Sequence, residues 1–289
     1  MIEKSRHTIA VLDHGYVELD AVFGSDLDIV RRARVSTGKG NKTPAEDQRF
    51  LNYLWRHQHL SPFGFPQLTF KIKMPIAMAR QWTRHRTHEM NELSGRYTKL
   101  AEAYAPTPDR FRLRDTDNRQ ASGGVLDPEL ADDLADDMDH RMHLNRSSYR
   151  DALEQGVPKE IARLSLPLST YTTFYWQQSL RNLLHLLHLR LDGHAQWETR
   201  QYAEAVYALT AEQFPWTCAA FERHTLNAVT LSSDEYALLL DAVHGEPGVQ
   251  AAVEYLLAND PTYRDLNENG RRRREFLVKL EYDRDEETP

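Results

Sequence analysis

The densest group of chemically capable side chains lies in RQWTRHRTHEMNELSGRY, residues 80–97. If the preceding helical pattern continues through it, Gln81, Arg84, His85 and His88 share a face by their spacing of three and four, while Arg84 and Arg86 point about 200° apart. One ligand group does not easily take both arginines. Arg80 and Arg84 are like charges four apart, which costs an isolated helix about 0.2–0.5 kcal/mol, so a nearby anion would relieve a local conflict. A solvated basic face is the competing reading for this stretch alone. Ser94-Gly95-Arg96 adds a hydroxyl, a glycine that permits close approach or positive φ, and a guanidinium able to bond an anion in two places. Together they describe a site for a phosphate monoester. Glu92 is out of place beside a phosphate alone, but it can accept hydrogen bonds from sugar or base donors.

The elements that must carry these residues follow from periodicity. TIAVLDHGYVELDAVFG reads as two strands joined at His14-Gly15, and Asp26 is expected to cap a helix over DLDIVRRARVS. Pro44 opens a second helix with Phe50, Leu51, Leu54 and Trp55 on one face. Residues 67–74 alternate Leu68, Phe70 and Ile72 with polar partners, as a half-buried strand does. Pro75 then starts a helix, PIAMARQWTRHR, and NELSGRY reads as turn-prone. An irregular surface excursion is expected to about Gly124, and a long helix from the acidic residues 127–139 to Leu153. PKEIARLSLP is a short helix, STYTTFYWQQS a strand, and 181–191 and 195–214 are helices. Further helices are expected at 232–242, 247–258 and 271–281. The predicted class is α+β: a small, mainly antiparallel sheet flanked by helices, with residues 1–228 as the main domain and 229–289 as a helical C-terminal extension.

Composition excludes some functions. A net charge of −7 over 289 residues argues against a surface built for nucleic acid. No apolar run approaches the roughly 18–20 residues of a membrane helix, so the chain reads as cytoplasmic. The one cysteine, Cys218, sits among apolar neighbours and reads as a buried thiol, leaving no thiolate metal cage. His140 and His143 beside Asp136 and Asp139 read as a solvated acidic helix, not a metal site. Arg271 to Arg274 likewise read as a solvated face.

Arg84-His85-Arg86, seven residues, then Ser94 resembles the signature of the flavin-dependent thymidylate synthases, the ThyX family. ARQWTRHR, NELSGRY, GVPKEIARLSLP at 156–167 and LRLDGHAQWETRQYA at 189–203 agree with it. The resemblance covers about residues 8–226. It implies reductive methylation of dUMP to dTMP with FAD, NAD(P)H (NADPH as the expected form) and methylenetetrahydrofolate, in a homotetramer with shared active sites. Carried over, it assigns Gln81, Glu92, Ser94, Gly95, Arg96, Arg163 and Arg190 to dUMP, with Arg190 on the uracil. It assigns His59, Ser61, Arg84, His85, Arg86, Asn91, Glu92 and His185 to FAD. Arg190 and Ser94 are the catalytic candidates, Ser94 chiefly as a substrate ligand, because no histidine is placed by sequence to activate it.

Where the family has Thr/Ser-Pro-Phe-Glu-His, this chain has Ser61-Pro62-Phe63-Gly64-Phe65. The change removes a charge and a donor from the flavin side, and Phe65 offers a stacking ring instead. Ser179 stands where some members have Asn. A divergent flavoenzyme acting on another uracil nucleotide, and a non-catalytic nucleotide-binding homologue, are the competing functions.

Overall fold

The computed structural model describes residues 7–38, 40, 42–114, 122–233 and 236. The chain divides into two compact units, Met1–Ala228 and Val229–Pro289. The helices expected at 232–242, 247–258 and 271–281, and the Arg271–Arg274 cluster, fall almost wholly outside the described residues.

Strands β1 (Thr8–Val11), β2 (Gly15–Phe23) and β3 (Gln67–Pro75) form an antiparallel meander. Between β2 and β3 come helices α1 (Asp26–Arg34) and α2 (Pro44–Arg56). After β3 follow α3 (Ile76–Trp82) and β4 (Glu89–Glu92), then a two-stranded ribbon of β5 (Arg112–Arg114) and β6 (Ser122–Val125). Helix α4 (Pro128–Glu154) leads to the short α5 (Lys159–Ala162), and β7 (Tyr171–Ser179) runs into α6 (Leu180–Arg190). Helices α7 (Trp197–Gln213) and α8 (Pro215–Phe221) complete the main unit. The sheet order is β1-β2-β3-β7-β4, with every pair antiparallel. The α+β expectation holds. Among the described residues no helix is long and apolar enough to cross a membrane.

Alternation decides which sheet face is inside: Leu68, Phe70 and Ile72 of β3 and Phe174 and Trp176 of β7 are buried, and α6 and α7 contribute Leu183, Leu184, Leu187, Tyr202 and Val206 to the same core. Fully burying a side chain of this size contributes about 1.5–3 kcal/mol against exposure, so the register of β3 and β7 is strongly specified.

Five local readings change. Ser25, not Asp26, caps α1, its hydroxyl accepting from the Asp28 amide. Asp26 is buried, and its carboxylate accepts from the Trp216 and Thr217 amides and the Thr217 hydroxyl, tying α1 to α8. The helix expected through Arg86 ends at Trp82, where both the amide and the hydroxyl of Thr83 donate to the Ala79 carbonyl at 3.0 Å. The Arg84 and His85 amides then turn to the carbonyls three residues earlier, the tightening usual at a helix end. The supposed turn at 91–97 begins instead as strand β4, completed by the open edge of β7. Within the expected excursion lies the β5–β6 ribbon. Helix α8, absent from the sequence reading, starts with Pro215 at its first position and buries Cys218, whose thiol is pushed above its ordinary range by desolvation.

Candidate active site

Helix α6 places its polar residues by burying its apolar ones. Leu183, Leu184, Leu186 and Leu187 are all buried, leaving His185 and His188 on the outer face and Arg190 in the last turn. The helix start is fixed by Ser179, which caps it, and by the Leu180 amide donating to the Pro66 carbonyl. At the far end the Arg190 guanidinium donates to the Gln81 carbonyl at 3.1 Å. Arg190 Nε is buried with no hydrogen-bond partner, a donor that a ligand oxygen could satisfy.

The His85 ring meets the His185 ring edge-on, with centroids 5.8 Å apart. Burial, reinforced by the Arg190 charge and then by His185 and His88, lowers the His85 pKa from 6.5 to about 4. His85 is therefore neutral at physiological pH, a donor or acceptor and not a counter-ion. The unfolded chain binds this proton near pH 6.5 while the folded chain does so only near 4, so the stability contribution is complete above 6.5 and is lost as the pH falls from there toward 4. Melting curves across that window are expected to show a smaller acid-side drop for His85→Gln than for the wild type; equal slopes would refute the assignment.

Gln81 is less free than its role in the resemblance implies. Its amide nitrogen donates to Gln196, and its oxygen accepts from the Thr199 hydroxyl at 3.4 Å. Gln196 and Thr199 were missed as partners, although both lie in the 189–203 block. Only the packing of α7 against α3 makes them neighbours of Gln81.

The second group hangs on β4. Asn91 and Glu92 stand opposite Tyr175 and Phe174, and the exposed Glu92 carboxylate accepts from the Thr172 hydroxyl at 2.6 Å. The Leu93 amide closes the ladder on the Thr173 carbonyl. The chain then curls, with Ser94 O accepting from the Tyr97 and Thr98 amides and Ser94 Oγ from the Arg96 amide. Gly95 sits at a close approach and not at a positive φ: a Cβ there would lie 3.2 Å from Arg163 Cδ and 3.1 Å from Leu100 Cδ1, so those side chains would have to shift. Arg163 follows α5, which Lys159 anchors by donating to the Tyr97 carbonyl at 2.8 Å. The structure thus joins Ser94, Gly95 and Arg163. Arg96 is exposed, its guanidinium against the Tyr97 ring and hydroxyl.

His59 and Ser61 are exposed on the loop after α2, where the His59 ring stacks with His57 at 6.4 Å. Phe63 is buried and pins this loop. A groove of about 390 Å³ runs from Leu60 to His185 and His188, bringing the loop and α6 to one surface. Arg84 and Arg86 lie exposed in the turn after α3, so the shared helical face expected for Gln81, Arg84, His85 and His88 does not form. Phe65 is exposed, with the Arg32 guanidinium 5.2 Å above its ring.

Comparison with known proteins gives a consistent picture. The family described as "Thymidylate synthase complementing protein" matches residues 19–216. The chain is similar to proteins named flavin-dependent thymidylate synthase: 47% identical over 232 residues to that of Thermus thermophilus, covering 80% of this chain and 84% of the relative. To that of Treponema denticola it is 42% identical over 238 residues, covering 82% and 90%. Among solved structures it is similar to a UMP/dUMP methylase, PolB, from Streptomyces cacaoi bound with 5-Br dUMP, with TM-score 0.68, 30% identity, and coverage of 75% of this chain and 99% of that one. The same methylase bound with 5-Br UMP gives a TM-score of 0.67 at 29% identity.

Proposed function

The chain belongs to the thymidylate synthase complementing protein family, the flavin-dependent thymidylate synthases, and from that premise we propose that it converts dUMP to dTMP by FAD-dependent reductive methylation, with methylenetetrahydrofolate as carbon donor and NADPH as reductant. The observation that carries the reading is Arg190: anchored to Gln81, set beside neutral His85, and left with a buried, unpartnered Nε. In this reading that donor meets a uracil oxygen and stabilises the negative charge that grows there.

The residues fit both ligands. The phosphate of dUMP takes Ser94, Gly95, Arg96 and Arg163, where the Gly95 cradle would be narrowed by a Cβ. Glu92 and Gln81 complete the nucleotide side. His59, Ser61, Arg84, His85, Arg86, Asn91 and His185 form the flavin side, with Glu92 shared. Most are exposed donors, the chemistry an FAD pyrophosphate and ring edge require. When bound, FAD would supply the hydride chemistry, so that C5 of the uracil needs no activation by a cysteine thiolate adding to the ring, a role for which buried Cys218 is unsuited. The protein binds, orients and polarises. Ser94 serves as a ligand: among the described residues neither a histidine nor a carboxylate hydrogen-bonds its hydroxyl, and that hydroxyl already accepts the Arg96 amide.

A homotetramer with shared sites belongs to the same proposal. It is supported by the open position of these residues and by the exposed Ile161, Leu164 and Leu168 flanking Arg163, the last two 74% and 65% accessible. Such apolar surface suits burial by another copy. A cytoplasmic location accords with this metabolism.

The test is the visible spectrum of the FAD-loaded, desalted protein under anaerobic conditions. NADPH is expected to bleach retained flavin faster with dUMP present, and methylenetetrahydrofolate then to yield dTMP. No retained flavin would overturn the proposal. Gly64 gives a second check: a Cβ there meets nothing within 4 Å, so Gly64→Glu is expected to fold normally. Restoring the family's carboxylate should tighten FAD by about tenfold or more, roughly one charge-assisted hydrogen bond; weaker FAD binding would refute the assignment of this loop to the flavin. UMP belongs in the same assay, because Gly64-Phe65 departs from the family pattern and the Streptomyces protein is a UMP/dUMP methylase. A methylated UMP product would favour that second reading.

A further inference from the structure

A cleft of about 770 Å³ lies between the C-terminal half of α4 and the segments at 99–101 and 156–159. His143, Arg146 and Arg150 line it at steps of three and four residues, so they form a row on one helix face, each about 5–6 Å beyond the last. Lys99 and Lys159 line it too, and Glu154 is the one carboxylate among its lining residues. This cationic concentration occurs in a chain of net charge −7. Among the described residues, Lys99, Arg146 and Arg150 take part in no ion pair. Arg146 and Arg150 are like charges one turn apart, a conflict that a bound anion would relieve.

The cleft is preformed. The buried Tyr149 hydroxyl accepts from the Leu100 amide, tying the 99–101 segment to α4. Lys159 donates to the Tyr97 carbonyl, so the cleft opens beside the 94–98 turn. Leu100 and Leu153 add an apolar lining against which a ligand's methylene groups can lie.

We propose that this cleft binds an extended polycarboxylate, the γ-linked oligoglutamate tail of the folate co-substrate, an inference that rests on the synthase function proposed above. Arg146 and Arg150 one helical turn apart, with Lys99 and Lys159 on the facing segments, match a chain of carboxylates repeating at comparable spacing. The phosphates of a nicotinamide dinucleotide call instead for converging charges and a stacking face for adenine. Among its lining residues the one Phe, Tyr or Trp is Tyr149, which is buried.

The experiment titrates γ-linked pentaglutamate, without the pterin, into the FAD-loaded protein by calorimetry at low and raised salt, with 2′,5′-ADP in parallel. Wild-type protein is expected to bind pentaglutamate, more weakly as salt rises. The exposed Arg146→Gln/Arg150→Gln variant is expected to bind it roughly tenfold less tightly, the combined effect of two exposed charge pairs. In turnover, wild type should show a lower KM for pentaglutamyl than for monoglutamyl methylenetetrahydrofolate, and the variant should lose that difference with kcat unchanged. Equal pentaglutamate affinity in both proteins would overturn the proposal, as would binding of 2′,5′-ADP that the double substitution abolishes. Intact, arginine-dependent pentaglutamate binding without dTMP formation would leave the cleft assigned and overturn the synthase reading instead.

Discussion

Arg190→Ala is expected to lower kcat/KM for dTMP formation by about 10²–10³-fold, the loss typical when a donor aimed at developing charge is removed. FAD retention and the fold should persist. In the resting chain Arg190 makes one hydrogen bond to the Gln81 carbonyl, a contact whose removal costs about 1 kcal/mol. Arg190→Lys should recover little, because an ammonium cannot hold that carbonyl and present a second donor in the guanidinium's fixed fork. Steady-state turnover beside a thermal melt separates the outcomes. Activity within a few-fold of wild type in a folded Arg190→Ala protein would remove Arg190 from the site.

Gly15→Ala is expected to produce the largest stability loss, about 3–5 kcal/mol. A Cβ at Gly15 would lie 1.9 Å from the Tyr202 hydroxyl and 2.6 and 2.9 Å from the Val11 and Lys73 carbonyl oxygens. None of the three gives way easily. The two carbonyls belong to β1 and β3, and Tyr202 is a buried ring whose hydroxyl donates to the Lys73 carbonyl at 2.9 Å. Overpacking costs about 1–3 kcal/mol and a stranded buried hydrogen bond a similar amount. For a domain of this size the melting temperature should fall by roughly 10 °C. A change under about 2 °C would show that the β1–β2 turn has room the structure does not give it.

Regular elements were legible where the pattern was local. Leu68, Phe70 and Ile72 declared β3 by alternation, and Pro44 marked the start of α2. The 84–96 segment was legible as chemistry but not as geometry. Its residue types pointed to an anion and nucleotide site, while the helix assumed for Arg84 and His85 gives way to a turn whose amides bond three residues back. Asp26 shows the same division. It has the chemistry of a cap, yet Ser25 takes that role and Asp26 is drawn inward by amides nearly 200 residues away.

By itself the sequence determined the α+β class and the family resemblance, and it singled out the candidate residues for a nucleotide and flavin site, because periodicity and side-chain chemistry are properties of short stretches. The tertiary structure decided that residues 89–92 pair with β7, that Gly95 packs closely against Arg163, and that His85 is neutral. It also decided that Arg190 reaches Gln81 with a donor to spare. Each of those depends on burial or on a partner far along the chain, and desolvation and long-range contact exist only once the chain has folded.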